Sequence, residues 1–273
     1  MPKKEVSLRI PESLRKVKTI LGIFSAKGGV GKSEIALNLA LSLKSKGYTT
    51  GLVDADIYGP SQPLLLGASS SELEVKDKEL LSPVVKEGIK FISMGLISKE
   101  RMPVIWRGPM VSGAVMQLLS QTDWQDLDFL IVDTPPGTGD VQLTLLQRMP
   151  INAVIVVTTP QKVSVSDTRK GIEMIKKLEV PILGLVENMS FFQPADKEKK
   201  YYLFGKGGGE ELAKEYSLDL FSEIPLTEKE DFSFLYKKEN YRKLFDDLSK
   251  KVLEKLKSSN KKMNHIIPQI TEG

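Results

Sequence analysis

Two lysines and a hydroxyl stand within the run Lys27-Gly28-Gly29-Val30-Gly31-Lys32-Ser33. These residue types at this spacing suit a phosphate chain. Glycines, lacking Cβ, let successive backbone N–H groups converge on phosphate oxygens, and a helix N-terminus placed there adds positive potential. Lys32 can reach β- and γ-phosphates, and the Ser33 hydroxyl is placed for Mg2+. The strict glycine-to-glycine pattern fails at its first position, where Ala26 stands. Backbone angles open to an L-residue are therefore required at 26, and the cradle is otherwise intact. Three carboxylates accompany it. Asp54 and Asp56 flank Ala55 where the strand ends, and they are expected to hold different jobs. One can support Mg2+ or the loop, the other can orient a water against a γ-phosphate. Asp133 ends the apolar run Leu130-Ile131-Val132 and leads into Thr134-Pro135-Pro136-Gly137-Thr138-Gly139-Asp140. An apolar strand ending in Asp downstream of a phosphate loop fits a carboxylate that holds Mg2+. The prolines and glycines after it suit a segment with discrete positions.

Such residues need a scaffold. The loop follows the apolar Ile20-Leu21-Gly22-Ile23-Phe24 and precedes Ile35-Ala36-Leu37-Asn38-Leu39-Ala40-Leu41, which places it between a strand and a helix. Apolar and amphipathic runs alternate along the chain, the pattern of βαβ units in an α/β fold with a mostly parallel sheet and helices on both faces. Strands are expected at 19–25, 50–54, 89–93, 127–133, 153–158, 182–187 and 219–224, and helices at 32–46, 113–120, 141–148, 163–178, 209–216 and 236–256. Phe129-Leu130-Ile131-Val132 and Val154-Ile155-Val156-Val157 are apolar on both faces, as central parallel strands must be. In the last helix Tyr241, Leu244, Phe245, Leu248, Val252 and Leu256 share one face. Segment 69–88 reads as a surface excursion. One domain over 19–256 is the economical division, with a leader at 1–18 and a tail at 257–273.

Composition narrows the function classes. Hydrophobic content of 41% with 27% charged residues is that of an ordinary globular chain. The net charge of +4 comes largely from Lys-rich ends and implies neither nucleic acid nor membrane as a partner. No cysteine is present, which excludes disulfides, thiol catalysis and Cys-ligated metals. No stretch reaches the ~20 apolar residues of a membrane span, and the N-terminus lacks the apolar segment of a signal peptide, so a cytoplasmic location is expected.

At this level of detail the chain resembles the MinD/ParA class of P-loop ATPases, marked by the second lysine, Lys27. More closely, it resembles the Mrp/ApbC iron–sulfur cluster carriers. The resemblance is carried by Asp54-Ala55-Asp56-Ile57-Tyr58-Gly59-Pro60-Ser61, Trp106-Arg107-Gly108-Pro109-Met110, Thr134 to Asp140, Thr159-Pro160-Gln161, Glu187-Asn188-Met189-Ser190 and Phe204-Gly205-Lys206-Gly207-Gly208-Gly209. It implies a P-loop NTPase fold, ATP and Mg2+ as cofactors, and a homodimer in which Lys27 reaches the partner's nucleotide. It also implies Lys32 and Gly28 to Ser33 on the phosphates, Ser33 and Asp133 on Mg2+, Asp56 orienting the attacking water, and Asn188 against the adenine. Iron–sulfur scaffolds or apoprotein clients would be the partners.

Two departures from the family pattern stand out. Many members carry Ser or Thr where Glu34 stands, so only its backbone amide is left for the α-phosphate. In the first turn of a helix a carboxylate suits the dipole, and Glu34 is expected to cap and point outward, with weakened nucleotide affinity at most. The family also places Cys-x-x-Cys after its aromatic pair, to hold a [4Fe–4S] cluster between subunits. This chain reads Phe191-Phe192-Gln193-Pro194-Ala195-Asp196-Lys197 there. Such clusters call for soft thiolates, which Gln193 and Asp196 are not, and the single histidine, His265, lies in the tail. The ATPase therefore carries over and the cluster site does not. An alternative reading is a MinD/ParA-like positioning ATPase. That would need a membrane-seeking C-terminal helix, or a DNA-binding patch such as Lys197, Lys199 and Lys200.

Overall fold

A computed structural model describes residues 11–71, 73–75, 80–97, 108–194, 199–226 and 235–260. Its centre is a sheet of eight strands: β1 (Val17–Phe24), β2 (Thr50–Asp54), β5 (Val84–Lys86), β6 (Ile89–Ser93), β7 (Leu127–Asp133), β8 (Ala153–Thr158), β9 (Ile182–Phe192) and β10 (Leu220–Leu226). The spatial order is β10-β9-β8-β1-β7-β2-β6-β5. Every pairing is parallel except that of β5 with β6. A separate antiparallel pair, β3 (Glu74–Val75) with β4 (Leu81–Ser82), lies in the expected surface excursion. Strands of two or three residues are too short to carry a hydrophobic period, which is why the sequence reads 69–88 as loop.

Alternation along the central strands sends neighbours to opposite faces. Ile131 joins the core beneath α1 (Lys32–Ser45) and α7 (Glu239–Asn260), whereas Leu130 and Val132 pack beneath α3 (Gly108–Ser120) and α4 (Asp140–Arg148). Val154 and Val156 face α5 (Lys162–Lys177) and α6 (Gly208–Tyr216). Both faces of the sheet are thus covered, and its central strands are apolar throughout for that reason. Helix α1 is buried at every position from 35 to 43, since α7 lies across its outer side. There Phe245, Leu248 and Val252 are inaccessible to solvent, and the Ser42 hydroxyl lies 2.8 Å from that of Ser249. The apolar stripe of the last helix is therefore spent on the core.

Several boundaries differ from the sequence reading, among them the start of α3 at Gly108, ahead of the expected 113. Strand β1 begins at Val17, α7 continues to Asn260, and β9 runs five residues beyond 187, through Asn188 to Phe192. The extension of β9 pairs with β10 through a register shift and bends at Met189, whose φ is 55°. A short helix, α2 (Gln62–Leu65), follows the Asp54–Asp56 segment and was not expected from sequence. One turn is too little to show helical periodicity.

Candidate active site

The glycine-rich run joins the end of β1 to the start of α1 at the carboxyl edge of the sheet, where open parallel sheets place their ligands. Gly29 and Gly31 hold φ of 77° and 81°, the left-handed region that glycine enters without a Cβ penalty. Gly31 is also the N-cap of α1, and no side chain caps that end. Its unpaired N–H groups thus face the loop. A Cβ on Gly31 would lie 2.1 Å from Asn188 Nδ2 and 3.1 Å from Glu34 Oε2, so any other residue would displace Asn188 as well as strain the backbone. The buried Val30 anchors the loop below, and Asn188 Nδ2 donates to the Val30 carbonyl at 2.9 Å. Asn188, one residue into the extension of β9, is thereby fixed over the P-loop.

Strands β2 and β7 are neighbours, paired so that Asp54 stands opposite Asp133. Distant in sequence, the two carboxylates end side by side, both inaccessible to solvent. Lys32 Nζ donates to Asp133 Oδ1 in a buried ion pair. The other carboxylate oxygen, Oδ2, accepts from Gln62 Nε2 at 2.9 Å. The same Nε2 donates to the Ser33 carbonyl at 2.9 Å. Asp54 Oδ2 accepts from the Gln62 backbone N–H at 3.1 Å and from the Ser93 hydroxyl at 3.0 Å. Burial, and then the neighbouring charge of Asp133, push the Asp54 carboxyl up to about 7 against the pull of those donors and of Lys32. One lysine thus serves two carboxylates, and the excess negative charge is what a cation would relieve. Hard oxygen donors from Asp133, Asp54 and Ser33 match Mg2+ in kind.

Asp56 is less buried than Asp54, because β2 ends at Asp54 and the chain has left the sheet by residue 56. Its Oδ1 accepts from the N–H groups of Tyr58 and Gly59 at 3.2 and 3.1 Å, which closes the turn leading to α2. The segment after Asp133 is tied to the P-loop. Gly137 N–H donates to the Ser25 carbonyl at 3.0 Å, and the Thr134 hydroxyl donates to the Ile23 carbonyl at 2.8 Å. Lys27 is partly exposed at the tip of the loop and makes no hydrogen bond or ion pair among the described residues.

Glu34 corrects the sequence reading. Its side chain is half-buried and turns back over Gly31 instead of outward. Burial raises its pKa, Asp133 adds to that, and its own backbone N–H and Lys32 oppose it. Gln62 and Ser93 went unseen in the sequence, since a glutamine or serine outside any motif carries no signal of its own. The segment expected to replace the family's thiolates leaves β9 at Gln193 and Pro194; Asp196 and Lys197 lie outside the described residues, as do Trp106, Arg107 and His265. Across the whole chain there is no cysteine, so thiolates cannot come from elsewhere in it.

Comparison with known proteins agrees with this geometry. Residues 16–262 match the ParA family model described as NUBPL iron-transfer P-loop NTPase. Among curated relatives, the iron–sulfur cluster carrier protein of Synechocystis is 48% identical over 82% of this chain and 64% of its own length. The carrier protein of Escherichia coli is 47% identical over 77% of this chain and 57% of its own length. The chain thus spans less than two thirds of these relatives. A nucleotide-binding protein from Archaeoglobus fulgidus, solved in complex with ADP, superposes with a TM-score of 0.70 at 33% identity, over 88% of this chain and 90% of that one. MinD from Pyrococcus horikoshii, solved with Mg-ADP, reaches 0.61 at 21% identity over 86% and 95%, a likeness of fold. With the phosphate loop, the paired carboxylates and the parallel sheet in place, the chain belongs to the ParA family of NUBPL-type iron-transfer P-loop NTPases.

Proposed function

We propose that this protein is a Mg2+-dependent ATPase that works as a dimeric switch in iron–sulfur cluster delivery. The observation that carries the reading is the buried Lys32–Asp133 pair. Each partner suits a different part of a metal–nucleotide complex: the ammonium suits phosphate oxygens, and the carboxylate suits the cation. Binding would exchange one internal pair for two external ones without leaving a buried charge alone, the condition for such a site to open at modest cost. Bound there, Mg2+ would neutralise charge developing on the phosphates. The N–H groups of Gly28 to Ser33 would cradle the phosphates, and Ser33 and Asp133 would hold the cation. Asp56 would release its turn to orient a water, Lys27 would reach the partner's nucleotide, and Asn188 would border the base. Because the loop after Asp133 is bonded to Ser25 and Ile23, movement of Asp133 is passed to that loop.

The iron–sulfur role rests on the family and on the names of the relatives. Oxygen and carboxamide donors do not fit a cluster that calls for thiolates. We therefore assign the cluster to a partner protein or scaffold, with this chain as the nucleotide-gated component.

ATP turnover and light scattering test the switch. Lys32→Ala is expected to abolish turnover, whereas Asp56→Ala keeps ATP binding and lowers turnover by about two orders of magnitude, the usual worth of a water-positioning group. Lys27→Ala should bind ATP as a monomer and lose the ATP-dependent dimer. Equal turnover in wild type and Asp56→Ala would remove Asp56 from the mechanism.

A further inference from the structure

Gln62 occupies a position that the reading above leaves unexplained. Its side chain is wholly inaccessible to solvent, yet it lies between the P-loop and the two buried carboxylates. Its backbone N–H is bonded to Asp54, and its Nε2 is bonded to both Asp133 and the Ser33 carbonyl. Those two acceptors settle the orientation of the carboxamide. Turning it over would set an oxygen against a carboxylate and a carbonyl. The remaining atom, Oε1, is a buried acceptor with no hydrogen-bond partner among the described residues. Buried polar atoms are paired as a rule, and an unpaired one beside a functional site points to a ligand that supplies the donor.

We propose that Gln62 is a positioning residue for the metal–nucleotide complex, its carboxamide N–H holding Asp133 in place while its Oε1 accepts a hydrogen bond from the hydration shell of the divalent cation. The inference rests on the reading of the site as one for Mg2+ and nucleotide. It follows from the donor inventory. Mg2+ dehydrates reluctantly and keeps several waters, each with hydrogens that need acceptors. Asp133 and Asp54 supply anionic acceptors, and the carboxamide supplies a neutral one without adding a third buried charge. Gln62 also opens α2, directly after the turn that Asp56 closes. A cation held through Gln62 therefore fixes the start of α2, and with it the segment that carries Asp56.

The test separates metal binding from nucleotide binding. ADP affinity is measured by calorimetry in EDTA for wild type, Gln62→Met and Gln62→Leu. Mn2+ is then titrated into each ADP complex, and free Mn2+ is read by electron paramagnetic resonance. Met keeps the reach of the side chain and Leu its bulk, and ADP binding in EDTA reports that the P-loop is folded. The expected result is ADP affinity within about twofold of wild type, with Mn2+ affinity weakened about tenfold, the usual worth of a group that orients a metal ligand. A loss of Mn2+ affinity below about threefold in a variant that binds ADP would overturn the inference. Failure of the wild type to bind ADP would instead overturn the nucleotide reading on which it rests.

Discussion

Glu34 shows how one substitution alters a site without removing it. A carboxylate folded over Gly31 faces the space where phosphate oxygens would lie, and its raised pKa reflects burial in that position. Like charges a few ångströms apart near a protein surface cost roughly 1–4 kcal/mol, with solvent screening favouring the low end. Glu34→Thr is therefore expected to tighten ADP binding about three- to tenfold, measured by calorimetry. Unchanged affinity would mean that Glu34 swings clear when nucleotide enters. The lysines, Ser33, Asp56 and Asp133 could be singled out because each belongs to a spaced pattern that points to one chemistry. Glu34's identity was equally legible, but its direction was not. A side chain in a first helical turn can face solvent or fold back, and the tertiary surroundings of the loop decide between them.

At the level of elements, the site depends on the alignment of β1, β2 and β7. Their N-terminal ends are tied by Asp128, which accepts from Lys18 Nζ at 2.8 Å and from the backbone N–H and hydroxyl of Thr49 at 2.8 and 2.9 Å. The hydrogen bond from Lys18, then that from Thr49, holds its pKa below the usual carboxylate range. A depressed folded pKa contributes stability above the unfolded value and loses it as pH falls through the folded one. Asp128→Asn should thus lower stability by at most about 1 kcal/mol at pH 7, because the amide oxygen still accepts from Thr49 without the charge, and the exposed lysine contributes little. The gap between variant and wild type should close as pH is taken below 4 in urea titrations. A gap independent of pH would show that the amide alone, and not the charge, matters. Long elements were readable from their periods: β7 and β8 from unbroken apolar runs, α7 from its stripe. The one-turn α2 and the strands of the excursion were not, because a period needs length.

On the scale of the whole molecule, a family described as iron-transfer NTPases, with relatives named iron–sulfur cluster carriers, is represented here by a chain without cysteine. Anaerobic reconstitution with iron and sulfide, followed by desalting and iron counting, should leave well under one iron per dimer and no cluster absorption, with or without ATP. Stoichiometric iron would mean that oxygen or nitrogen donors, Asp196 among them, hold the cluster, and would overturn the assignment of cargo to a partner. The same sheet also accounts for the last helix, the element that a MinD-like role would have needed at a membrane surface. Its apolar side closes the core over α1, so it is occupied before any surface is offered.

What the sequence by itself determined was the glycine-rich loop between strand and helix, the aspartate that ends an apolar strand, the parallel α/β order and the absence of thiolates. All of these are local: they follow from residue identity at short spacing, or from a period along one element. Only the tertiary structure decided that Asp54 and Asp133 share one buried corner, that Lys32 is paired there, that Gln62 bridges the carboxylates to the P-loop, and that Asn188 sits over Gly31. Those contacts join residues from separate strands and loops. Their partners are set by which strands lie next to each other in the sheet, and no spacing along the chain encodes that adjacency.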